Sequence, residues 1–146
     1  MSDFEPGLFI TMFSDASHCP KTHANGYGGW AKFGAKPETM RCGGKLSKSP
    51  NSTVAEYKGL VATLKKLEKQ KDIVFKDKIL IIQCDNQPAL KTIERNYSGY
   101  FLRDLKLRHV KYKWVKAHNG YGDSRSAVNE WCDKEAKKHM RRMRDG

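Results

Sequence analysis

A chain of 146 residues is long enough for one domain with a real core and too short for two. Its composition, 38% hydrophobic and 30% charged, is that of an ordinary globular protein, and no run of about 18 apolar residues marks a transmembrane helix. Twenty-eight Lys and Arg against sixteen acids leave a net charge of +12, an excess that attracts polyanions, most often nucleic acid. No helix pairs a broad aromatic face with a basic one, which argues against a membrane surface as the partner.

The first ten residues lack the basic start and apolar stretch of a signal peptide. Residues 7–14 then read as a strand with both faces largely apolar, hence central, ending at Asp15. A polar loop covers 16–25. Gly-Tyr-Gly-Gly-Trp-Ala-Lys-Phe-Gly (26–34) forms a glycine-rich strand, and after a Lys-Pro turn a third strand lies near 39–46, completing an antiparallel meander.

A helix starts around Asn51-Ser52-Thr53 and runs to about residue 70, with Tyr57, Leu60, Val61, Leu64 and Leu67 on its buried face. The apolar run 79–83 is a strand buried on both sides, and the strand–helix–strand spacing implies a parallel pair. Pro88 suits the first turn of a short helix over 88–95, with a Tyr/Leu-rich segment over 97–107 that reads as a second short helix. Val110, Tyr112 and Trp114 alternate with Lys111 and Lys113, so 109–116 is a half-exposed strand. The last helix, about 126–143, turns Val128, Trp131, Cys132, Ala136 and Met140 inward and ends in a basic tail from about 137 to 146. The fold class expected is α/β: a single domain over 1–146, with a mixed five-stranded sheet flanked by helices. The four cysteines (Cys19, Cys42, Cys84, Cys132) are scattered, with no Cys-x-x-Cys, and read as reduced thiols of a cytoplasmic protein.

Four acids stand out. Asp15 and Asp85 end the two most apolar strands, where each either caps the next segment of chain or lines the carboxyl edge at which open α/β sheets bind ligands. Glu56 closes Thr53-Val-Ala-Glu56, which matches a capping box, yet it also sits at the rim of the helix's apolar stripe. Asp133 shares a helix face with Asn129, four residues earlier. Several acids at one sheet edge of a strongly basic chain suggest a divalent cation, because Mg²⁺ takes carboxylate oxygens and shares its shell with substrate phosphates.

Five segments in chain order then resemble type 1 ribonuclease H: Phe13-Ser-Asp15-Ala-Ser, the Gly-Tyr-Gly-Gly-Trp strand, Asn51-Ser-Thr-Val-Ala-Glu56, Cys84-Asp85-Asn86, and Trp114-Val-Lys-Ala-His118 with Asn129-Glu-Trp-Cys-Asp133. The chain departs from the family pattern in Ala16, where a Gly is usual, and in Ser52-Thr53, where asparagines are usual. The stretch between Asp85 and His118 leaves no room for a basic protrusion, and the loop over 119–128 is long and expected to be mobile.

The resemblance implies a ribonuclease H-like fold and endonucleolytic cleavage of the RNA strand of RNA–DNA hybrids, leaving 5′-phosphate and 3′-hydroxyl ends. It implies two Mg²⁺ ions per site, with Mn²⁺ as a possible substitute, held by Asp15, Glu56, Asp85 and Asp133. His118 would shuttle a proton or assist product release, and Asn129 would position water or phosphate. Ser52, Asn86 and Gln87 are candidate readers of the hybrid. Arg103, Lys106, Arg108, Lys111, Lys113 and Lys116 form one basic zone, and Lys137, Lys138, Arg141, Arg142 and Arg144 a second. The enzyme is expected to act as a monomer, with no small-molecule cofactor. Three other readings compete: a non-catalytic nucleic-acid binder, a DNA resolvase-type nuclease on the same fold, and a structural zinc site from His18, Cys19, His23 and Cys42.

Overall fold

The apolar segment at the start of the chain forms β1 (Phe9–His18), which lies at the centre of a five-stranded sheet. The computed structural model describes residues 7–34, 39–70, 73–115 and 124–146. Alternation along β1 turns Ile10 and Met12 to one face and Phe13 to the other, so both faces demand cover. On one side β1 pairs antiparallel with β2 (Asn25–Phe33), which pairs antiparallel with β3 (Thr39–Leu46). On the other it pairs parallel with β4 (Ile79–Cys84), which pairs parallel with β5 (His109–Trp114), giving the order β3-β2-β1-β4-β5. The mixed sheet expected from the sequence is the one observed.

Among the described residues, three helices cover it. α1 (Ser52–Glu68) buries Leu60, Leu64 and Leu67, and α2 (Gln87–Arg103) buries Leu90, Ile93 and Phe101; with Ile10, Met12, Leu80 and Ile82 they form the main core. α3 (Ser124–Asp145) packs on β1, β2 and β3 from the opposite face, where Cys132 meets Phe13 and Val115.

Three boundaries differ from the sequence reading. β1 continues three residues past Asp15, because Asp15 through His18 keep pairing with Gly28 through Asn25. The segment 87–103 is one helix of 17 residues rather than two short ones: Pro88 sits in its first turn, and Ile93 and Phe101 share its buried face. α3 begins at Ser124, inside the stretch read as the loop 119–128, and residues 119–123 lie outside the described residues.

The glycines of β2 have a packing cause. A Cβ at Gly28 would stand 2.5 Å from the Cys132 carbonyl oxygen and 2.9 Å from Glu135 Cβ, so α3 rests its backbone directly on the strand. Gly29, pointing the other way, leaves room for Thr63 of α1. Gly28→Ala is therefore expected to push α3 off the sheet and cost about 1–3 kcal/mol, read as a lower midpoint in urea unfolding.

Candidate active site

The acids converge because three elements end or pass at one edge of the sheet. The parallel register of β1 and β4 runs from Phe9↔Ile79 to Phe13↔Gln83, and two residues further along each strand come Asp15 and Asp85. Asp15 shares its face of β1 with Phe13, the side on which α3 packs. Glu56 arrives from α1 on the other face. It is 6% exposed and Asp15 is 8% exposed, so both carboxyls are buried.

Helix capping accounts for neither Glu56 nor Asp85. The N-cap of α1 is Asn51, whose side chain accepts from the Val54 amide at 2.9 Å, so the capping-box frame on Thr53 and Glu56 is displaced by two residues. The N-cap of α2 is Asn86, whose Oδ1 accepts from the Ala89 amide at 2.9 Å, and not Asp85. Both acids instead lie in one cluster of possible ligand atoms with Cys84.

There they are tied to one another. The Asp15 and Glu56 carboxyls lie close enough for each to act on the other's ionisation. The Ala16 amide donates to Asp15 Oδ1 at 2.9 Å and to Glu56 Oε1 at 3.2 Å, so one backbone N–H serves both. Cys84, fully buried beneath them, donates its thiol to Glu56 Oε2 at 3.6 Å. Glu56, Cys84 and Asp85 each offer a ligand atom, and these atoms all lie within 4.8 Å of one another. The backbone of Asp85 is itself held, its carbonyl accepting from Trp114 Nε1 at 3.1 Å.

Burial, with the negative charge of Asp85 next, pushes the Asp15 carboxyl up to about 7. Burial, then the charges of Asp15 and Asp85, hold Glu56 well above the ordinary carboxylate range. Asp133 adds to the repulsion at Asp15 from α3, and its Oδ2 is paired with Lys137 Nζ at 3.0 Å. One turn before it, Asn129 holds a buried Oδ1 with no hydrogen-bond partner among the described residues. A set of hard oxygen donors that resists ionisation when alone suits a divalent cation, whose charge removes the repulsion that raises these pKa values.

The other candidate residues are spread around this centre. Ser52 opens α1 and is exposed. Asn86 is occupied by its capping bond and by donating Nδ2 to Thr53 Oγ1 at 3.3 Å, which ties the starts of α1 and α2 together. Gln87 comes next, exposed, as the first residue of α2. Lys111 and Lys113 are exposed on β5, pointing away from the face that carries Val110 and Tyr112. Lys116 and His118 lie outside the described residues.

In the second basic zone Lys137 and Lys138 are engaged within α3, by Asp133 and Glu135. The zinc alternative does not fit the geometry: among the described residues, His18, Cys19, His23 and Cys42 do not come together as a group of ligands. His18 Nε2 and His23 Nδ1 both spend themselves on the Ser49 carbonyl, at 2.8 and 2.9 Å, while Cys42 faces Thr63 and Tyr27.

Sequence reasoning missed the Ala16 amide and the Cys84 thiol. The amide carries no signal in a sequence. The thiol does: Leu80, Ile82 and Cys84 alternate onto the helix-covered face, which puts Cys84 under whatever α1 presents at that edge.

No family model matches the chain. Among curated proteins, it is 27% identical over 117 residues, 74% of this chain and 77% of the relative, to the ribonuclease H of Campylobacter jejuni strain 81-176 and, by the same figures, to the ribonuclease HI of strain NCTC 11168. Among solved structures it is similar to the N-terminal ribonuclease H domain of a Mycobacterium tuberculosis protein (TM-score 0.66, 16% identity, 94% of this chain and 97% of that one). It is likewise similar to LC11-RNase H1, solved in complex with an RNA/DNA hybrid (TM-score 0.67, 13% identity, 91% and 97%).

Proposed function

We propose that the chain is a ribonuclease H, a reading supported by its 27% identity to two ribonucleases H and by its fold, and that it acts as a metal-dependent endonuclease hydrolysing the RNA strand of RNA–DNA hybrids to 5′-phosphate and 3′-hydroxyl ends. The observation that carries the reading is the buried Asp15–Glu56 carboxyl pair at the sheet edge, with Asp85 and Asp133 acting on it from β4's end and from α3.

Asp15, Glu56, Asp85 and Asp133 are the residues that would hold two Mg²⁺ ions, or Mn²⁺ in their place. Bound there, the ions would supply Lewis-acid stabilisation of the scissile phosphate and a more acidic water. The chain's own residues do the rest. The Ala16 amide and the Cys84 thiol orient the Glu56 carboxylate, and the indole of Trp114 fixes the backbone that carries Asp85. Asn129 Oδ1, an acceptor buried without a partner among the described residues, is suited to take a hydrogen bond from the attacking water. His118 is assigned to moving a proton to the leaving side or to product release. The protein is proposed to act as a cytoplasmic monomer without a small-molecule cofactor.

The test compares hydrolysis of an RNA–DNA hybrid, duplex RNA and branched DNA with Mg²⁺ and with EDTA. Hybrid cleavage confined to the RNA strand and abolished by EDTA is expected. Preferential cutting of branched DNA, or hybrid binding without cleavage, would refute the assignment.

Binding is proposed to rest on phosphate contacts by Lys111, Lys113 and Lys116, with Ser52, Asn86, Gln87 and Asn129 nearer the hybrid's sugars and bases. If about six phosphates are neutralised, raising salt from 50 to 200 mM is expected to weaken hybrid binding about 10³-fold. Lys111→Ala and Lys113→Ala are each expected to lower the slope of log K against log salt by about one, measured by fluorescence anisotropy.

A further inference from the structure

Two histidines outside the carboxylate centre converge on one backbone atom. His18, the last residue of β1, brings Nε2 to 2.8 Å from the Ser49 carbonyl oxygen, and His23, in the turn to β2, brings Nδ1 to 2.9 Å from the same oxygen. Their rings sit 5.9 Å apart. A carbonyl has two lone pairs, and here both are taken by imidazole N–H groups. Ser49 is 1% exposed, so without these donors its carbonyl would be left buried and unpaired.

The rest of the surroundings reinforce the same segment. The Ser49 amide donates to the His23 carbonyl at 3.3 Å, and Asn25 Nδ2 donates to Ser47 O at 2.6 Å and to Ser49 Oγ at 3.1 Å. From α1, Lys58 Nζ reaches the Ser47 side chain and the Lys48 carbonyl, both at 2.8 Å. Two residues after Ser49 comes Asn51, the N-cap of α1, and then Ser52; both are exposed at the mouth of the helix that carries Glu56.

We propose that His18 and His23 are positioning residues for hybrid binding: by closing both lone pairs of the Ser49 carbonyl, they fix segment 47–52 and so place Asn51 and Ser52 against the substrate. The proposal rests on the nuclease reading given above. It separates binding from chemistry for a structural reason. Glu56 has its own ties to β1 and β4 through the Ala16 amide and the Cys84 thiol, so loosening segment 47–52 leaves the carboxylate in place. What is lost is the exposed rim.

The side chains offer a clean comparison. Glutamine can put an amide N–H where His18 carries Nε2, and methionine has a similar length with no donor. Asparagine can match Nδ1 of His23 and tolerates the left-handed φ of 61° found there. Kinetics on a hybrid with Mg²⁺, together with amide hydrogen exchange over residues 45–56, decide the matter. His18→Met is expected to raise KM about 5-fold or more with kcat within about two-fold of wild type, and to speed exchange in 47–52. His18→Gln and His23→Asn are expected to stay within about two-fold of wild type in both measurements.

Unchanged KM and exchange in His18→Met overturns the proposal. So does a His18→Gln variant as impaired as His18→Met, since that would mean ring shape and not the donated bond is what matters. Should the wild-type chain cleave no hybrid, the nuclease reading fails and takes the binding role with it. The exchange comparison then still decides whether the two donors hold the segment.

Discussion

Asp85→Asn is expected to lower Mg²⁺-dependent hybrid cleavage at least about 10³-fold, equivalent to about 4 kcal/mol of transition-state stabilisation, while leaving the fold intact. Asp85 sits just past the end of β4 with its backbone carbonyl held by Trp114, so an isosteric amide disturbs no strand pairing. It does remove a charge from a group of ligand atoms within 4.8 Å of one another. It also removes the strongest charge–charge effect raising the Asp15 carboxyl, whose pKa should therefore fall. Single-turnover cleavage beside a circular dichroism spectrum separates the outcomes. A folded variant with activity within ten-fold of wild type would remove Asp85 from the chemistry.

The second large effect concerns stability, and its sign is the reverse of what a mutation in a buried site usually brings. The Asp15 carboxyl ionises at about 7 in the folded chain against 3.8 ordinarily, so the native state binds the proton more tightly than the unfolded one. Stability from this group is then full below about pH 4 and is lost as the pH rises to about 7. At pH 8 without metal the ionised site is a burden. The shift corresponds to about 4 kcal/mol at most, and relaxation of the carboxylates toward solvent reduces the realised cost.

Asp15→Asn is accordingly expected to stabilise the metal-free protein by about 1–3 kcal/mol at pH 8, to change little at pH 4, and to abolish cleavage. Mg²⁺ should raise the melting temperature of the wild type at pH 8 and do so less at pH 6, where protons compete for the same oxygens, and not in Asp15→Asn. Thermal unfolding at three pH values with Mg²⁺ or EDTA checks every part. A metal-free Asp15→Asn protein that melts below wild type at pH 8 would contradict the repulsion on which the site's cation affinity is argued.

Stability and activity are thus opposed at this edge of the sheet. Four acids are costly together, and β1, β4, α1 and α3 hold them there through contacts made elsewhere. Gly28 is part of that support: it lets α3 come close enough for the charge of Asp133 to act on Asp15 from the far face.

The period-two runs of β1 and β4, the glycines of β2 and the Leu60, Leu64, Leu67 stripe were enough to give a mixed five-stranded sheet, the buried face of α1 and an antiparallel meander followed by a parallel pair, whereas the order of the strands is seen only in the fold. Those patterns are local, and burial tracks them directly. The ends of elements were less legible. Asp15 reads as a strand end because polarity begins there, yet pairing with β2 carries the strand on to His18. Thr53 and Glu56 match a cap pattern, yet Asn51 takes that place and leaves Glu56 to the interior.

Composition and order along the chain therefore determined the fold class and the basic character, and they marked the four acids as candidates. Only the tertiary structure decided that Glu56 is buried against Asp15, that one amide at Ala16 serves both, and that His18 and His23 close on the same carbonyl. The physical reason is range. Periodicity records which face of an element meets the core, whereas a hydrogen bond between residues 40 positions apart, such as Ala16 to Glu56, exists only once separate elements have packed.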